Sequence, residues 1–307
     1  QRQMCIRDSN ITAVVTVADD GGSSGILRSD LGMLAPGDVR NCVSALAEVD
    51  PVMGELLNFR FKDGSLKGHS LGNLFLAALN ETSSSFDEAV KKFSHLTGVV
   101  GTVYPVTNES VTLSALLEDG RLIEGESHIG VHHDGPKNGI VKLMVNPEKP
   151  KAVDGVIKAL EKADIIVLGP GSLYTSIIPN LLVDGVVDAI KKSNAVKIYV
   201  CNIMSQAGET ENYTVSDHLA AIERHSYEGI ADIVIANNAI IPESLRIKYA
   251  SEHAREVMID SISVLKRAKL VQGNLLLVRN DKIRHNFSRL ARTIMRLGSD
   301  VNYFENK

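Results

Sequence analysis

Strand-like apolar runs alternate with helix-like runs along most of the chain. Residues 11–18 (ITAVVTVA) are almost all apolar and rich in β-branched side chains, as expected for a strand that is buried on both faces. Similar runs recur at 163–169, 195–202 and 231–238. Helical patterns occupy 36–49, 68–80, 84–98, 151–162, 180–193, 215–225 and the segment after 286. This alternation predicts parallel βαβ units in a doubly wound α/β sheet, with ligand sites beyond the carboxyl ends of the strands.

Several helix boundaries and buried faces follow from the same pattern. Asp38 stands where an N-cap is expected for the helix at 36–49. In 84–98 the apolar residues recur at helical spacing, and Gly98 marks the end of the helix. The expected buried positions are Phe86, Val90, Phe93 and Leu96 in that helix, and Phe287, Leu290, Ile294 and Leu297 in the last one.

A β-rich insert at about 100–147 interrupts the alternation. Residues 111–127 predict a hairpin around Asp119-Gly120, and 139–147 a further strand. Residues 275–286 predict a last strand or hairpin. We interpret 11–307 as one α/β domain that carries this insert. Residues 1–10 lack any helical or strand period, and we interpret them as a foreign or misread segment.

The composition is that of an ordinary globular protein. The chain has 307 residues, of which 44% are hydrophobic and 23% charged. Its net charge is −4, so the chain as a whole has no positive electrostatic field that would attract nucleic acid. No apolar run reaches the roughly 18–20 residues of a membrane span. The three widely spaced cysteines favour neither a disulfide framework nor a zinc site. These features predict a cytoplasmic protein without a membrane span and without a nucleic-acid partner.

Four glycine-rich polar segments follow or flank the apolar runs. They are DDGGSSG (19–25), GHSLGN (68–73), GPGSLYTS (169–176) and CNIMSQAGETENYT (201–214). Because the carboxyl ends of parallel strands point the same way, we expect at least three of these segments to meet at one rim of the sheet. Glycine lets backbone N–H groups approach a ligand, and serine and threonine add hydroxyl donors. The pattern predicts a phosphate-binding cleft, although it matches neither G-x-G-x-x-G nor G-K-[ST].

The two acids Asp19 and Asp20 leave three arrangements open. A divalent cation such as Mg²⁺ could bridge them to a phosphate. They could instead face sugar hydroxyls while the loop amides face the phosphate, or one of them could cap a helix.

Three other sets of residues are weaker candidates. The adjacent His132-His133, beside Asp134, are poorly placed to ligate one metal ion. Cys201 follows a strand and has no recognisable base, which favours a buried structural thiol over a nucleophile. Tyr249 and Arg284 could form a stacking face and a phosphate clamp, or could be surface residues.

Several motifs resemble a bacterial family, the YvcK-type gluconeogenesis factors, which are relatives of the archaeal 2-phospho-L-lactate transferases. In chain order they are VTVADDGGSSG, PGDVRN, GNLFLAAL, GPGSLYTSIIPNLL, CNIMSQAGETENYTVSDH and IRHN. The resemblance runs from about Ile11 to the C-terminus.

The resemblance implies a Rossmann-like fold and a cytoplasmic protein that binds UDP-N-acetylglucosamine. It further implies support of cell shape during growth on gluconeogenic carbon sources, through a protein partner in cell-wall synthesis, with no settled reaction. Self-association is a further expectation. The alternative is a metal-dependent transferase of a phosphoryl-linked group. The expected ligand-binding residues are Asp19, Asp20, Gly21, Gly22, Ser23, Ser24, Asn41, His69, Asn73, Gly169, Gly171, Ser172, Thr175, Asn202, Tyr249 and Arg284, with Asp19 and Asp20 as metal ligands if Mg²⁺ is used.

The chain departs from the family pattern in two places. Family members begin with a strand and a glycine-rich loop before ITAVVTVADD, where this chain has QRQMCIRDSN. We expect that the native gene encodes this central strand and that its loss leaves unpaired strand edges. The segment HHDGPKNGIVKL (132–143) replaces a shorter basic turn in the insert.

Overall fold

The computed structural model describes residues 10–130 and 139–305, with side chains described as far as residue 299. The segment that we interpreted as foreign, apart from Asn10, and the pair His132-His133 lie outside the described residues.

The parallel strands form two groups. In one, β1 (Thr12–Val15) pairs with β2 (Thr102–Pro105). In the other, four strands lie in chain order: β6 (Ile165–Leu168), β7 (Val196–Val200), β8 (Ile233–Asn237) and β9 (Lys269–Gly273). The predicted α/β class with a mostly parallel sheet is therefore confirmed. Within the described residues, the second edges of β1 and β6 have no strand partner.

Helices connect and cover these strands. They are α1 (Gly22–Leu31), α2 (Gly37–Leu46), α3 (Pro51–Asn58), α4 (Leu71–Glu81), α5 (Phe86–Leu96), α6 (Glu126–Ile129), α7 (Asp154–Lys162), α8 (Ile178–Leu181), α9 (Val186–Lys192), α10 (Val215–Arg224), α11 (Glu243–Ser251), α12 (Ser261–Leu265) and α13 (Phe287–Glu305). A π-helical turn over Leu173–Ile177 leads into α8.

The insert is a separate antiparallel sheet. Its strands are β3 (Thr112–Leu117), β4 (Leu122–Glu124) and β5 (Ile140–Asn146), in the order β4-β3-β5. The predicted hairpin around Asp119-Gly120 is confirmed as β3–β4. Strand β2 lies within the range that we assigned to the insert, but it belongs to the parallel strands. A second hairpin is formed by β10 (Leu276–Arg279) and β11 (Lys282–His285).

Some local expectations were wrong. The N-cap of α2 is Pro36, and Asp38 lies inside its first turn. In α5 the expected face is buried except for Leu96, which is 61% exposed, and in α13 Phe287 is 57% exposed. Both exceptions lie at a helix end, where the neighbouring elements no longer cover the apolar face.

Buried side chains hold the glycine-rich loops and the insert in place against the parallel strands. Tyr174 and Tyr199 are among the largest fully buried side chains. The Tyr174 hydroxyl donates to the carbonyl of Ile140 over 3.1 Å, and His225 Nε2 accepts the N–H of Leu143 over 2.8 Å. These bonds fix the insert against α10 and against the loop that follows β6.

Candidate functional site

The loop after β1 leads directly into the N-terminus of α1. Gly21 is the N-cap of the ten-residue helix α1, and among the described residues no side chain caps this end, so the first N–H groups of the helix lack an intrahelical acceptor. Ser23 and Ser24 are buried in its first turn. Ser23 Oγ lies 3.0 Å from His69 Nδ1 and accepts Asn73 Nδ2 over 3.1 Å. The first and second glycine-rich segments therefore meet, as predicted.

Helix α2 adds further polar side chains beside this loop. Arg40 Nε donates to Asn73 Oδ1 over 3.3 Å, and the exposed Asn41 hydrogen-bonds the carboxylate of Asp38. Burial, and secondarily Asp19, raise the pKa of Asp38. A Cβ on Gly37 would lie 2.6 Å from Ser24 Oγ and 3.1 Å from Asp19 Oδ2. A side chain at position 37 would therefore force Ser24 or helix α2 to move.

The third and fourth glycine-rich segments meet around Glu209. Ser172 Oγ donates to Glu209 Oε1 over 2.6 Å, and the Tyr174 N–H donates to Oε2 over 3.0 Å. Gln206 Nε2 in turn donates to Ser172 Oγ, and Asn202 Nδ2 to Gln206 Oε1, over 2.7 and 3.3 Å. Burial raises the pKa of Glu209 despite these hydroxyl and amide donors.

Glu126 of the insert connects the two halves of the rim. Burial is the main reason why the pKa of Glu126 is raised to about 7, and Asp19, Asp20 and Glu209 add to the shift. An interaction with the Thr175 side chain acts in the opposite direction and lowers the pKa of Glu126. We call the polar side chains that these contacts bring together the rim network: Asp19, Asp20, Ser23, Ser24, His69, Asn73, Glu126, Ser172, Thr175, Asn202, Gln206 and Glu209.

Asp20 holds the insert against the loop after β1. Its Oδ1 accepts the N–H of Ser127 over 2.8 Å, and its Oδ2 accepts that of Glu126 over 3.0 Å. Burial alone would raise the pKa of Asp20, but these hydrogen bonds outweigh it and lower the pKa. A Cβ on Gly125, at φ +93°, would lie 2.8 Å from Asp20 Oδ2. One acid of the pair therefore caps a helix, although it is α6 of the insert.

The described residues do not fit a preformed Mg²⁺ site. Both carboxylate oxygens of Asp20 accept amide N–H groups, and Asp19 Oδ1 accepts the N–H of Gly21 over 2.9 Å. Within residues 10–130 and 139–305, no three histidine, cysteine or acidic side chains are grouped so that they could hold a metal ion. Mg²⁺ requires several oxygen ligands in octahedral geometry.

Arg28 fixes the same loop from its other side. Its Nη1 donates to the carbonyl oxygens of Ala18 and Asp19 over 3.0 and 3.2 Å, and its Nη2 donates to that of Val111 over 2.8 Å. The guanidinium thus joins the end of the first strand to the start of the insert.

The glycines that shape the third segment lie next to Ser172. Gly169 has φ +82°, and a Cβ there would lie 3.0 Å from the carbonyl oxygen of Val200. A Cβ on Gly171 would lie 3.3 Å from Ser176 Cβ. Together with Gly22, at φ +45°, these positions let the two loops turn sharply at the rim.

Tyr249 and Arg284 lie in a separate pocket. Its volume is about 230 Å³, and it is lined by Lys248, Tyr249, Glu252, Asp281, Lys282 and Arg284. The Tyr249 hydroxyl accepts the N–H of Ile283 over 2.9 Å, and Arg284 Nη1 donates to the Ile283 carbonyl over 2.8 Å. Among the described residues, no hydrogen bond connects either side chain with the rim network.

One loop lies between the pocket and the rim network. Ile203 and Met204 belong to a small apolar cluster against which Tyr249 packs. Asn202 and Gln206, in the same loop, belong to the rim network. The pocket and the rim therefore flank residues 202–206.

Sequence reasoning missed Glu126, Glu209 and Gln206. Gln206 and Glu209 lie within a predicted loop, but nothing in the local pattern distinguished them from neighbouring polar residues. Glu126 lies in the insert, far along the chain from the loops it joins. Cys201, in contrast, is 1% exposed, and burial raises the pKa of its thiol to about 12, which agrees with a structural thiol.

Comparisons with known proteins show which family this chain resembles. The family described as 2-phospho-L-lactate transferase CofD matches residues 2–277. The chain is similar to a gluconeogenesis factor of Bacillus subtilis, with 43% identity over 293 residues, which are 94% of this chain and 90% of the relative. A relative from Clostridium acetobutylicum is 45% identical over 300 residues, and the match spans 66% of its length.

A solved structure has the same fold. The crystal structure of a member of the UPF0052 family from Bacillus halodurans superposes with a TM-score of 0.91 and 42% sequence identity. The superposition covers 95% of this chain and 94% of the other.

Proposed function

The chain belongs to the CofD family, in the branch of the gluconeogenesis factors, and we propose that it binds a nucleotide sugar, UDP-N-acetylglucosamine. We propose that it acts as a non-catalytic sensor in the cytoplasm, which supports cell shape under gluconeogenic growth through a protein partner. The observation that carries the proposal is the pocket in which Tyr249 and Arg284 lie together, beside the loop of the rim network.

The pocket combines an aromatic ring with cations. Because the Tyr249 hydroxyl already accepts the Ile283 N–H, the ring is held in place and offers its face for stacking on a base. Arg284 uses one of its five donors on a backbone carbonyl, and Lys248 and Lys282 lie beside it. A base and an attached phosphate are the chemistry that such a pocket recognises.

The rim network suits the remaining parts of the ligand. The uncapped N-terminus of α1 and the hydroxyls of Ser23 and Ser24 favour a phosphate group. Asp19 and Glu126 would repel phosphate, whereas carboxylates accept hydrogen bonds from sugar hydroxyls. We therefore place the hexose on the carboxylate side and the diphosphate next to α1.

Binding without turnover is our first choice because the carboxylates already have partners. Asp20 accepts two amides, and Glu209 accepts two hydroxyls and an amide. One observation favours the alternative, a transferase of a phosphoryl-linked group. With its pKa raised to about 7, Glu126 could take a proton from an acceptor hydroxyl at neutral pH.

Isothermal titration calorimetry with UDP-N-acetylglucosamine tests the proposal. We expect Tyr249→Ala and Arg284→Ala each to weaken binding by about 1–3 kcal/mol, which is the scale of a lost stack or charged hydrogen bond. Tyr249→Phe keeps the ring and should retain most of the affinity. Arg279→Ala, an exposed arginine of the same hairpin, is the matched control. Unchanged affinity in both alanine variants would move the site elsewhere.

Prolonged incubation separates the two candidate functions. Product analysis after incubation with the nucleotide sugar and Mg²⁺ should return intact ligand if the protein is a sensor. Release of a nucleotide that disappears in Glu126→Gln would favour the transferase instead. An absence of binding by the wild-type chain would contradict both.

A further inference from the structure

A groove runs along the edge of β2, away from the rim network. It has a volume of about 790 Å³. Helix α5 forms one wall, the segment that leads into α7 forms the other, and residues 101–104 form the floor. Neither the candidate site nor the proposed function uses this groove.

The floor of the groove is an open strand edge. The N–H groups of Thr102 and Val106 donate to the carbonyls of Ile11 and Val15, both over 2.8 Å. Alternate residues of a strand point their N–H and C=O groups to opposite sides, so both groups of Val103 point away from β1, into the groove. Within the described part of the chain, β2 has β1 as its only strand partner.

In the described residues, other backbone segments pair with the chain on both sides of this stretch: Val99 forms an isolated bridge with Ala47 before it, and the edge is also covered at its carboxyl end. There the carbonyl of Val106 accepts the N–H of Val153 over 3.1 Å, and Thr107 forms an isolated bridge with Ala152. A short stretch without a strand partner on this side, from Gly101 to Pro105, is thus left between two walls; Val103 is 3% exposed, and what it exposes lines the groove. An exposed strand edge is a ready template for an added strand.

The two ends of the groove differ in charge, with acidic side chains at one end and basic side chains at the other. Asp87 lies near the carboxyl end of β2, because its N–H donates to Asn108 Oδ1 over 3.0 Å and its Oδ1 accepts Asn108 Nδ2 over 2.8 Å. Asp154 opens α7 at the same end. One and two helical turns further along α5, Lys91 and His95 face the amino end of β2.

We propose that this groove binds an extended segment of a partner protein, which adds antiparallel to β2 as a further strand. The segment carries a basic side chain toward Asp87 and Asp154, and an acidic one nearer its own C-terminus, toward Lys91 and His95. Eight helical residues separate Asp87 from His95, or about 12 Å, which corresponds to roughly three or four residues of a strand. The two charges of the segment are therefore two to four residues apart.

Selection from a linear random-peptide phage library, with the full chain immobilised, tests this proposal. We expect the enriched peptides to share a basic residue followed, two to four positions later, by an acidic one. Val103→Pro removes the outward N–H of Val103. It should weaken the binding of a synthetic copy of an enriched peptide by about tenfold or more. Val103→Ile keeps the N–H and should retain its affinity.

A charge reversal tests the side-chain contacts without touching the strand. Lys91 is exposed on α5, and in Lys91→Glu we expect the selected acidic residue to be replaced by a basic one. Lys62→Glu makes the same charge change at an exposed position outside the groove and should leave the selection unchanged.

Three results would overturn the proposal. One is the absence of any enriched peptide; another is binding that neither Val103→Pro nor Lys91→Glu alters. The third is a wild-type dimer that Val103→Pro converts to a monomer, since a second copy would then occupy the edge.

Discussion

The environment of Glu126 shows how neighbouring side chains set the chemistry of a single residue. Its carboxyl group is half-buried, and three other carboxylates lie close enough to disfavour its ionisation. An ordinary glutamic acid would be ionised at neutral pH, whereas the raised pKa of this one brings its titration close to neutral pH. The residue therefore provides a direct test of the rim geometry.

Glu126 should make the stability of the protein depend on pH. Because the folded pKa is about 7 against an ordinary value of 4.5, the folded state binds more protons than the unfolded state between these values. The free energy of unfolding should therefore fall by about 1 kcal/mol from about pH 5 to about pH 8, once the shift is discounted for the solvent that still reaches this half-buried carboxyl group. In Glu126→Gln this loss should be absent.

Denaturant titrations of the wild type and the variant at both pH values provide the measurement. Glu124→Gln, an exposed acid two residues earlier, is the matched control and should behave like the wild type. Identical pH profiles for the wild type and Glu126→Gln would mean that the carboxylates do not converge as described.

At the scale of elements, a close approach between helices fixes the start of α4. A Cβ on Gly72 would lie 2.6 Å from the carbonyl oxygen of Leu57, in α3, and 2.8 Å from Arg40 Cδ, in α2. Asn73 of the rim network is the next residue. The position of the second glycine-rich segment thus depends on three helices that meet at one glycine.

We predict that Gly72→Ala destabilises the protein by about 1–3 kcal/mol, because a backbone oxygen cannot yield as a flexible side chain can. Gly54→Ala is the matched control inside α3. The nearest atom to its Cβ would be Val49 Cγ2 at 3.7 Å, so alanine should be neutral or stabilising by up to about 1 kcal/mol. Thermal unfolding of both variants measures the two changes in stability. Equal changes in Gly72→Ala and Gly54→Ala would contradict the close contact at Gly72.

The contact between the insert and α10 should also respond to pH. His225 Nε2 accepts the N–H of Leu143, and its Nδ1 lies 2.7 Å from the carbonyl of Ala221, so the ring must be neutral. Burial first, then Arg224 and Lys142, lower the pKa of His225. A lowered histidine pKa means that stability is lost as the pH falls below the ordinary value of 6.5.

We expect the hydrogen-exchange protection factor of the Leu143 amide to fall about tenfold between about pH 7.5 and about pH 5.5. In His225→Gln the side-chain oxygen accepts at any pH, so the protection should stay constant. A pH-independent wild type would contradict the role of this ring.

Elements with a strong apolar period were predictable, and those without one were not. Strands such as β7 and β8 and helices such as α5 follow from their runs of apolar residues. Helix α1, rich in glycine and serine, has little helix propensity, and the burial of Ser23, Ser24 and Leu27 stabilises it in the folded protein. Strand β9 contains Lys269 and Gln272 and was missed because an edge strand needs no continuous apolar run.

At the scale of the molecule, topology explains which parts of the site were predictable. Loops at the carboxyl ends of parallel strands converge, and the contacts of Ser23 with His69 and of Ser172 with Glu209 follow this rule. The role of Glu126 was not predictable, because no sequence rule says how an antiparallel insert docks on a parallel sheet. Our prediction of a further strand before β1 stays a prediction.

No helix of the described ranges is both long and apolar enough to cross a bilayer. The apolar residues instead form one large core, which reaches from β1 through the insert to α10, and two smaller clusters.

We propose that the Tyr249–Arg284 pocket and the rim network bind one ligand around the loop 202–206. Hydrogen–deuterium exchange with and without UDP-N-acetylglucosamine tests it most directly. We predict increased protection in 202–211, at the start of α1 and in β11 together, at the same ligand concentration. Protection confined to one of these regions, or found only elsewhere in the chain, would contradict the claim.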